Sequence, residues 1–368
     1  MTRKPEGPLR KGWTTGACAT AATRAAWQAL LAGTFPDPVS ITLPRGETPS
    51  FDLVKSETGP GWARASIIKD AGDDPDVTHH AEIIVTLRRA GPGHGISFHA
   101  GPGVGMVTKP GLPIGVGEPA INPKPREMMI AQITELAAQF GVATDVEIEI
   151  SIPGGAEIAQ KTWNPRLGII GGLSVLGTTG VVIPFSCSSW IHSIHRGIDV
   201  ARATGRTHVA GATGKTSESA IQALYGLPDD ALLDMGDFAG GMLKYLRKNP
   251  VAQVTIAGGF GKLVKLAQGH MDLHSSRSQV DMDRLAETAR HIGASKTLCT
   301  AIKTANTARH VLELCARENV TIASIIARQA REAAMATIDG ACAIEVVIFD
   351  RQGAMIGRAG AFEQHAPQ

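Results

Sequence analysis

Asp272 and His274 stand two residues apart in the polar run Gly269–Arg277, GHMDLHSSR. A carboxylate beside an imidazole can take up or deliver a proton near neutral pH. The same pair also serves as a structural hydrogen bond or as the cap of the helix expected to start near Gln279, and the residues alone leave both readings open. Neither His nor Cys recurs around the pair with ligand spacing, so no metal is expected.

Glycine-rich turns form the second chemical signal. The run Gly211-Ala212-Thr213-Gly214-Lys215-Thr216-Ser217 invites comparison with a phosphate loop, but that pattern needs glycine at 209, where this chain has Val209. What survives is a strand, a glycine loop and a helix, whose backbone N–H groups can receive a polar or anionic group. Gly258-Gly259-Phe260-Gly261-Lys262 repeats the arrangement. A third glycine-rich segment, Leu167–Val182 (LGIIGGLSVLGTTGVV), is apolar and then turns through Gly171 and Gly172 toward Thr178 and Thr179. It reads as a buried parallel strand entering an α/β domain. No GxGxxG stands in dinucleotide context, so a nicotinamide cofactor is not indicated.

Two polar loops lie upstream. Lys69–His80 carries four aspartates and fails the EF-hand spacing, leaving a solvated acidic turn or a loop aimed at a polar ligand through Asp74, Asp76 and Thr78. Gly101–Arg126 is too dense in Pro and Gly for a helix or a central strand. Its apolar anchors Val104, Met106, Val107, Leu112, Ile114 and Ile121 argue for an ordered loop presenting Lys109, Glu118, Asn122, Lys124 and Arg126.

The elements that must hold these loops read as follows. An alanine-dense helix spans Ala17–Leu31, capped by Thr14 or Thr15. Strands are predicted at Val39–Leu43, Phe51–Ser56, Ala63–Lys69 and Glu82–Arg88. A helix at Glu127–Phe140 and a half-exposed strand at Asp145–Ile152 follow. Beyond Pro153-Gly154-Gly155, strands and helices alternate: helix Ser188–Thr204, strand Arg206–Ala210, helix Glu218–Tyr225, strand Leu232–Met235, helix Phe238–Arg247, strand Val251–Ala257 and helix Leu263–Gln268. Helices Thr304–Arg317 and Ile322–Met335 precede a closing hairpin, Ala343–Phe349 with Ala354–Gly357. Parallel strands would place the glycine loops on one sheet edge, where open α/β sheets bind ligands.

A chain of 368 residues calls for two domains, here 1–155 and 156–368. A formal charge of +2 is too balanced for a general nucleic-acid binder. No apolar run reaches the roughly 18–20 residues of a membrane span, and the basic N-terminus lacks the apolar stretch of a secretory leader. The five cysteines stand far apart and form no CxxC pair, which suits a cytoplasmic protein.

The chain resembles the CbiD family of corrin-ring synthesis over nearly its whole length. The carriers are GWTTGACATAA (12–22), GDDPDVTHHA (72–81), GVGMVTKPGLPIGVGEPAINPKPREMM (103–129), GLSVLGTTG (172–180), GGFGKLVKLAQG (258–269) and DLHSSRSQVD (272–281). Two places depart from the pattern: His80 stands where glycine is expected, and GATGKTSE replaces a more usual glycine-rich turn. The resemblance implies an S-adenosylmethionine-dependent enzyme that methylates carbon C-1 of a cobalt-containing tetrapyrrole. It also implies an N-terminal α+β domain similar to the second domain of ribosomal protein S5, followed by a Rossmann-like α/β domain. The donor would then lie against Gly171, Gly172, Thr178, Thr179, Gly211, Gly214, Gly258, Gly259 and Gly261. The substrate would meet Lys109, Glu118, Asn122, Lys124, Arg126, Asp74, Asp76 and Thr78, with Arg10, Lys11, Lys262 and Lys265 as further cationic clamps for its carboxylates. Asp272 or His274 would handle a proton. The rival readings are a non-catalytic corrinoid carrier, which needs no adenosyl site, and a phosphate-binding kinase-like enzyme resting on Gly214-Lys215-Thr216. The expected partner is a small tetrapyrrole rather than a nucleic acid or membrane, with homo-oligomerisation left open.

Overall fold

The computed structural model describes residues 7–362, so the start of the N-terminal segment, where no leader was expected, lies outside the described residues. The chain is a mixed α/β protein of two compact units, one ending at Cys187 and the next beginning at Ser188.

In the first unit, helix α1 (Thr15–Ala32) starts where Thr14 Oγ1 accepts the Ala17 N–H at 3.1 Å and stops at Gly33 in the left-handed region, φ 77°. Ala17, Ala21, Ala22 and Ala25 are fully buried, because methyl-sized side chains let the helix lie close on the sheet. That sheet contains β1 (Lys55–Gly59), β2 (Trp62–Ile68), β3 (Glu82–Arg89), β4 (Ile96–Ala100) and β5 (Val146–Ser151), in the order β1-β2-β3-β5-β4. Only the β5–β4 pair is parallel. Val146, Ile148 and Ile150 of β5 face the core, while Glu149 meets Arg88 at 3.2 Å. Strand β4 was not anticipated, although Ile96, Phe98 and Ala100 alternate with Ser97 and His99, because five residues between Gly95 and Gly101 give only a short signal. Val39–Ser40 and Ser50–Phe51 pair only briefly and leave the main sheet. Helix α2 spans Pro123–Phe140, not Glu127–Phe140. Pro123 and Pro125 are tolerated because first-turn N–H groups have no intrahelical acceptor, so Lys124 and Arg126 belong to a helix and not to a loop.

The segment 167–182 corrects the expectation of a buried strand in the second domain. Ile169–Ile170 pairs antiparallel with Met106–Val107, Gly172–Leu173 pairs parallel with Gly103–Val104, and Val181–Val182 pairs antiparallel with Gly12–Trp13. All these partners belong to the first unit, which moves the division from 155/156 to 187/188. Gly172 is glycine because a Cβ there would overlap the Gly103 carbonyl, so close strand approach explains it without a ligand.

The second unit comprises α3 (Cys187–Ala203), β6 (His208–Ala212), α4 (Lys215–Tyr225), β7 (Leu232–Leu233), α5 (Ala239–Lys248), β8 (Gln253–Gly259) and α6 (Phe260–Ala267). Then come α7 (Met282–His291), α8 (Lys296–Lys303), α9 (Ala308–Arg317), α10 (Ile322–Ile338), β9 (Ala343–Phe349) and β10 (Met355–Ala359). The sheet order is β7-β6-β8-β9-β10, parallel except for the final hairpin strand. Apolar residues alternate between faces. Val209, Val254, Ile256, Ile344, Val346 and Ile348 join the core built with α3, α5, α6 and α10. Ala210, Ala212, Ala257, Val347 and Phe349 face Ile221 of α4 and Leu227. Helix α8 was not anticipated; Ser295, which accepts the Leu298 N–H at 3.0 Å, is its cap. Among the described residues no helix is long and apolar enough to cross a membrane.

Candidate functional site

The parallel strands of the second unit create a crevice by topology. From β6 the chain crosses to β7 on one side, and from β8 it leaves toward β9 on the other. Adjacent connections that part in opposite directions open a gap at the strands' carboxyl ends. The residues at this gap are Thr213 and Gly214 after β6, and Gly258 to Lys262 at the end of β8 and the start of α6. The Thr213 N–H bonds to the Ala257 carbonyl at 2.9 Å, and the Gly236 N–H bonds to that of Ala212 at 2.9 Å, so the loops after β6 and β7 are folded onto the edge.

Gly214 and Gly259 are exposed, and a Cβ added at either would meet no atom within 4 Å. Gly259 has φ −73° and Gly214 has φ 169°, both open to any residue. Neither backbone strain nor packing requires glycine here. Gly258 is different, since a Cβ would press on Thr213 at 2.8 Å. Gly261 lies in the first turn of α6. Gly211 is corrected: β6 runs on to Ala212, so Gly211 is buried inside the strand, where a Cβ would strike Met242. Gly171, Gly172, Thr178 and Thr179 are not loops of this sheet, because the strands of their segment pair within the first unit.

Charged groups surround the gap. Lys262, on α6, forms an ion pair with Asp237, on the loop after β7. The Asp237 side chain is only 12% exposed, and its buried Oδ1 lies against the Lys262 ammonium. Burial, with Lys265 nearby, pulls the Lys262 pKa below its usual range against the attraction of Asp272. Lys265 is buried with its ammonium on the Leu273 carbonyl at 3.0 Å. Trp190, near the start of α3, donates its indole N–H to the Asp234 carbonyl at 2.8 Å and remains 37% exposed, with Phe238 beside it.

Asp272 and His274 do not form the expected carboxylate–imidazole bond. Asp272 accepts the His274 backbone N–H at 3.1 Å and the Arg277 guanidinium at 2.7 Å, and the imidazole Nδ1 turns to Ser276 Oγ at 2.7 Å. Spacing of two put them close in the chain, but a turn directs their side chains apart. The Lys262–Asp237 pair escaped sequence reasoning, because its partners lie on separate elements, a helix and a loop, with no local signature.

In the first unit, the acidic loop is an internal scaffold. Lys69, 1% exposed, meets Asp76 at 2.6 Å, and Asp76 also accepts the Thr78 N–H and hydroxyl at 2.7 and 2.6 Å. Burial opposes the Asp76 carboxylate, but the Lys69 charge and these hydrogen bonds outweigh it and hold its pKa down. Asp74 accepts the Phe185 N–H at 2.7 Å, and burial lifts its pKa. Arg10 grips Asp70, whose pKa falls to about 2 mainly through that hydrogen bond. Arg126 is likewise engaged: Nε donates to Ile121 O at 2.8 Å, Nη2 to Pro119 O at 3.2 Å, and Nη1 meets Glu118 at 2.8 Å. The guanidinium expected to meet substrate is thus engaged within the fold, where it pins the Pro/Gly loop to α2. Lys124 pairs with Glu127 at 2.8 Å on the surface. Asn122 occupies the cap position of α2 without a side-chain cap bond, and the stem of Lys109 lies over Gly168. Lys11 is exposed.

Comparison with known proteins adds the following. Residues 2–184 match the family model described as CbiD, and residues 272–360 that described as CbiD, C-terminal domain. A relative from Paramagnetospirillum magneticum, named cobalt-precorrin-5B C(1)-methyltransferase, is 61% identical over 96% of this chain and 99% of its own length. One of the same name from Brucella anthropi is 61% identical over 95% of each. A crystal structure of a cobalamin biosynthesis protein (cbiD) from Archaeoglobus fulgidus is similar at 26% identity, covering 75% of this chain and 86% of that one, with a TM-score of 0.39.

Proposed function

The chain belongs to the CbiD family, and from that premise we propose that it is a methyltransferase of cobalamin biosynthesis, acting on ring carbon C-1 of cobalt-precorrin-5B with S-adenosylmethionine as donor. The observation that carries the donor site is the pair of exposed glycines, Gly214 and Gly259, at the switch point of the parallel sheet. Both leave space that a Cβ would fill, as close approach of an adenosyl ligand to backbone requires. We read the second unit as Rossmann-like, from its four parallel strands with helices on both faces. We read the first as similar to the second domain of ribosomal protein S5. A cytoplasmic site of action fits five free cysteines.

When bound, the donor supplies an electrophilic methyl group on a sulfonium. The chain's part is to fix that group and the attacking ring carbon in line, and such positioning can supply much of the barrier reduction. Backbone N–H groups near Gly259 and Gly214 orient the donor. Lys11, Lys109 and Lys124 are the cations we assign to substrate carboxylates; Lys11 is exposed and Lys124 is held by an exposed pair with Glu127, whereas Arg10 and Arg126 are engaged within the fold. Asp272 and His274 hold the loop that follows α6; no proton step is assigned to them, because their side chains are turned to Arg277 and Ser276.

Calorimetric titration with S-adenosylhomocysteine tests this. The wild-type chain should bind it, and Gly259→Ala should fold normally while binding at least about ten-fold more weakly. Equal binding and turnover by Gly259→Ala would remove this edge from the donor site. A methyl-transfer assay on cobalt-precorrin-5B separates the enzyme from a non-catalytic corrinoid carrier, which would bind the tetrapyrrole and leave it unchanged.

A further inference from the structure

We propose that the Lys262–Asp237 ion pair is the receptor for the amino-acid end of the methyl donor, its two charges separating to take the donor's α-carboxylate and α-ammonium. This rests on the donor site of the preceding subsection. S-Adenosylmethionine and its product both end in a zwitterion, one anionic and one cationic pole on a single carbon. The Lys262–Asp237 pair offers the complementary poles, already apposed, at the same switch point. Asp237 is on the loop after β7, whose Gly236 N–H bonds to the end of β6. Lys262 is on the first turn of α6, three residues past Gly259. The pair therefore spans from the β7 loop to the end of β8, past the end of β6.

Three features favour a ligand role over a purely structural one. First, Asp237 is largely buried with its Oδ1 against the Lys262 ammonium, and a buried pair of charges needs further hydrogen bonds on its remaining lone pairs to offset desolvation. A ligand ammonium brings three donors. Second, Lys262 is 36% exposed along its side chain, so its ammonium can turn to an incoming carboxylate. Third, its neighbour Lys265 is committed to the Leu273 carbonyl, which leaves Lys262 as the responsive cation of the two. The Leu273 N–H in turn bonds to the Asp237 carbonyl at 2.8 Å, so the loop 269–273 braces the backbone carrying the carboxylate.

The test uses the full chain and two probes that differ only at the amino-acid end: S-adenosylhomocysteine, which has the zwitterion, and 5′-methylthioadenosine, which lacks it. Lys262→Met and Asp237→Asn should each weaken S-adenosylhomocysteine about ten-fold or more and change 5′-methylthioadenosine less than about two-fold. Lys262→Arg, which keeps the charge, should recover most of the loss. Circular dichroism and the thermal midpoint confirm folding of each variant. If both variants bind S-adenosylhomocysteine like wild type, or if the two probes weaken equally, this assignment is overturned while the donor site stands. If the wild-type chain binds neither probe, the donor site falls and this assignment with it.

Discussion

At the scale of single residues, backbone conformation explains a departure from the family pattern. His80 has φ 65°, a left-handed conformation that costs a residue with a Cβ about 1–2 kcal/mol. Its ring lies against that of His79, tilted by 31° with centroids 3.7 Å apart, which returns part of that cost. His80→Gly should therefore raise stability by roughly 1 kcal/mol or less, read as an upward shift of the urea midpoint; a drop would mean the contact between the imidazoles matters more than the strain. Arg126 is expected to act on stability first. Its guanidinium is shared among Ile121, Pro119 and Glu118, so Arg126→Ala should lower unfolding free energy by about 2–3 kcal/mol, the range for a hydrogen-bonded charge. Lys124→Ala breaks only an exposed pair one helical turn long and should leave stability within about 0.5 kcal/mol. A raised Michaelis constant in Lys124→Ala with unchanged stability would place Lys124 at the substrate.

Among the elements, β9 carries a burden its sequence hides. Glu345, 0% exposed, lies in an otherwise apolar strand and is met by Tyr225 at 2.8 Å, Thr255 at 2.7 Å and Arg358 at 2.6 Å. The network ties α4, β8 and β10 to β9, and burial with the Glu345 contact pushes the Tyr225 hydroxyl up to about 12. Removing one partner of such a pair strands a buried charge, so Arg358→Met should cost about 3–5 kcal/mol, while Glu345→Met with Arg358→Met together should cost less. His208, bonded to Thr255 at 2.8 Å, borders the same network, and burial lowers its pKa; His195 is lowered too, by burial in the α3–α5 contact. Above about pH 6.5 these imidazoles are neutral in both folded and unfolded chains and leave stability alone. Below it the unfolded chain binds protons that the folded chain resists, so stability should fall as pH drops from about 6.5 toward the lowered folded values. His208→Asn should flatten part of that fall in denaturation curves between pH 7.5 and 5.5. Elements with a local signal were legible in the sequence: the alanine helix after Thr14, the alternation at 146–150, and the strand–glycine–helix turns at Gly214 and Gly259. Strand β4 was not, because its alternation lasts only five residues, between Gly95 and Gly101. Segment 167–182 was misplaced for a different reason. An apolar stretch ending in glycines looks the same whether its partner is a parallel sheet or the distant Gly103–Val107, and only the fold supplies the partner. The Asp272–His274 pair failed likewise, since spacing fixes nearness but not side-chain direction.

The whole molecule has separate cores, one built around α1 and β5 and the others around the second sheet. A single two-state transition is then not expected, and scanning calorimetry should give a ratio of calorimetric to van't Hoff enthalpy above one; a ratio of one would mean the units melt together. The tryptophans divide unevenly between these units. Trp13, Trp27, Trp62 and Trp163 fall in the first, and the second contains Trp190 alone. That indole is held on the Asp234 carbonyl, on the loop that also carries Asp237, and is partly open to water. Its emission is therefore a built-in optical gauge of that loop. In a chain with the other four indoles replaced by phenylalanine, every photon excited at the red edge of absorption reports the second unit, and the arrival of a donor analogue becomes readable as a change in colour and lifetime without any attached dye.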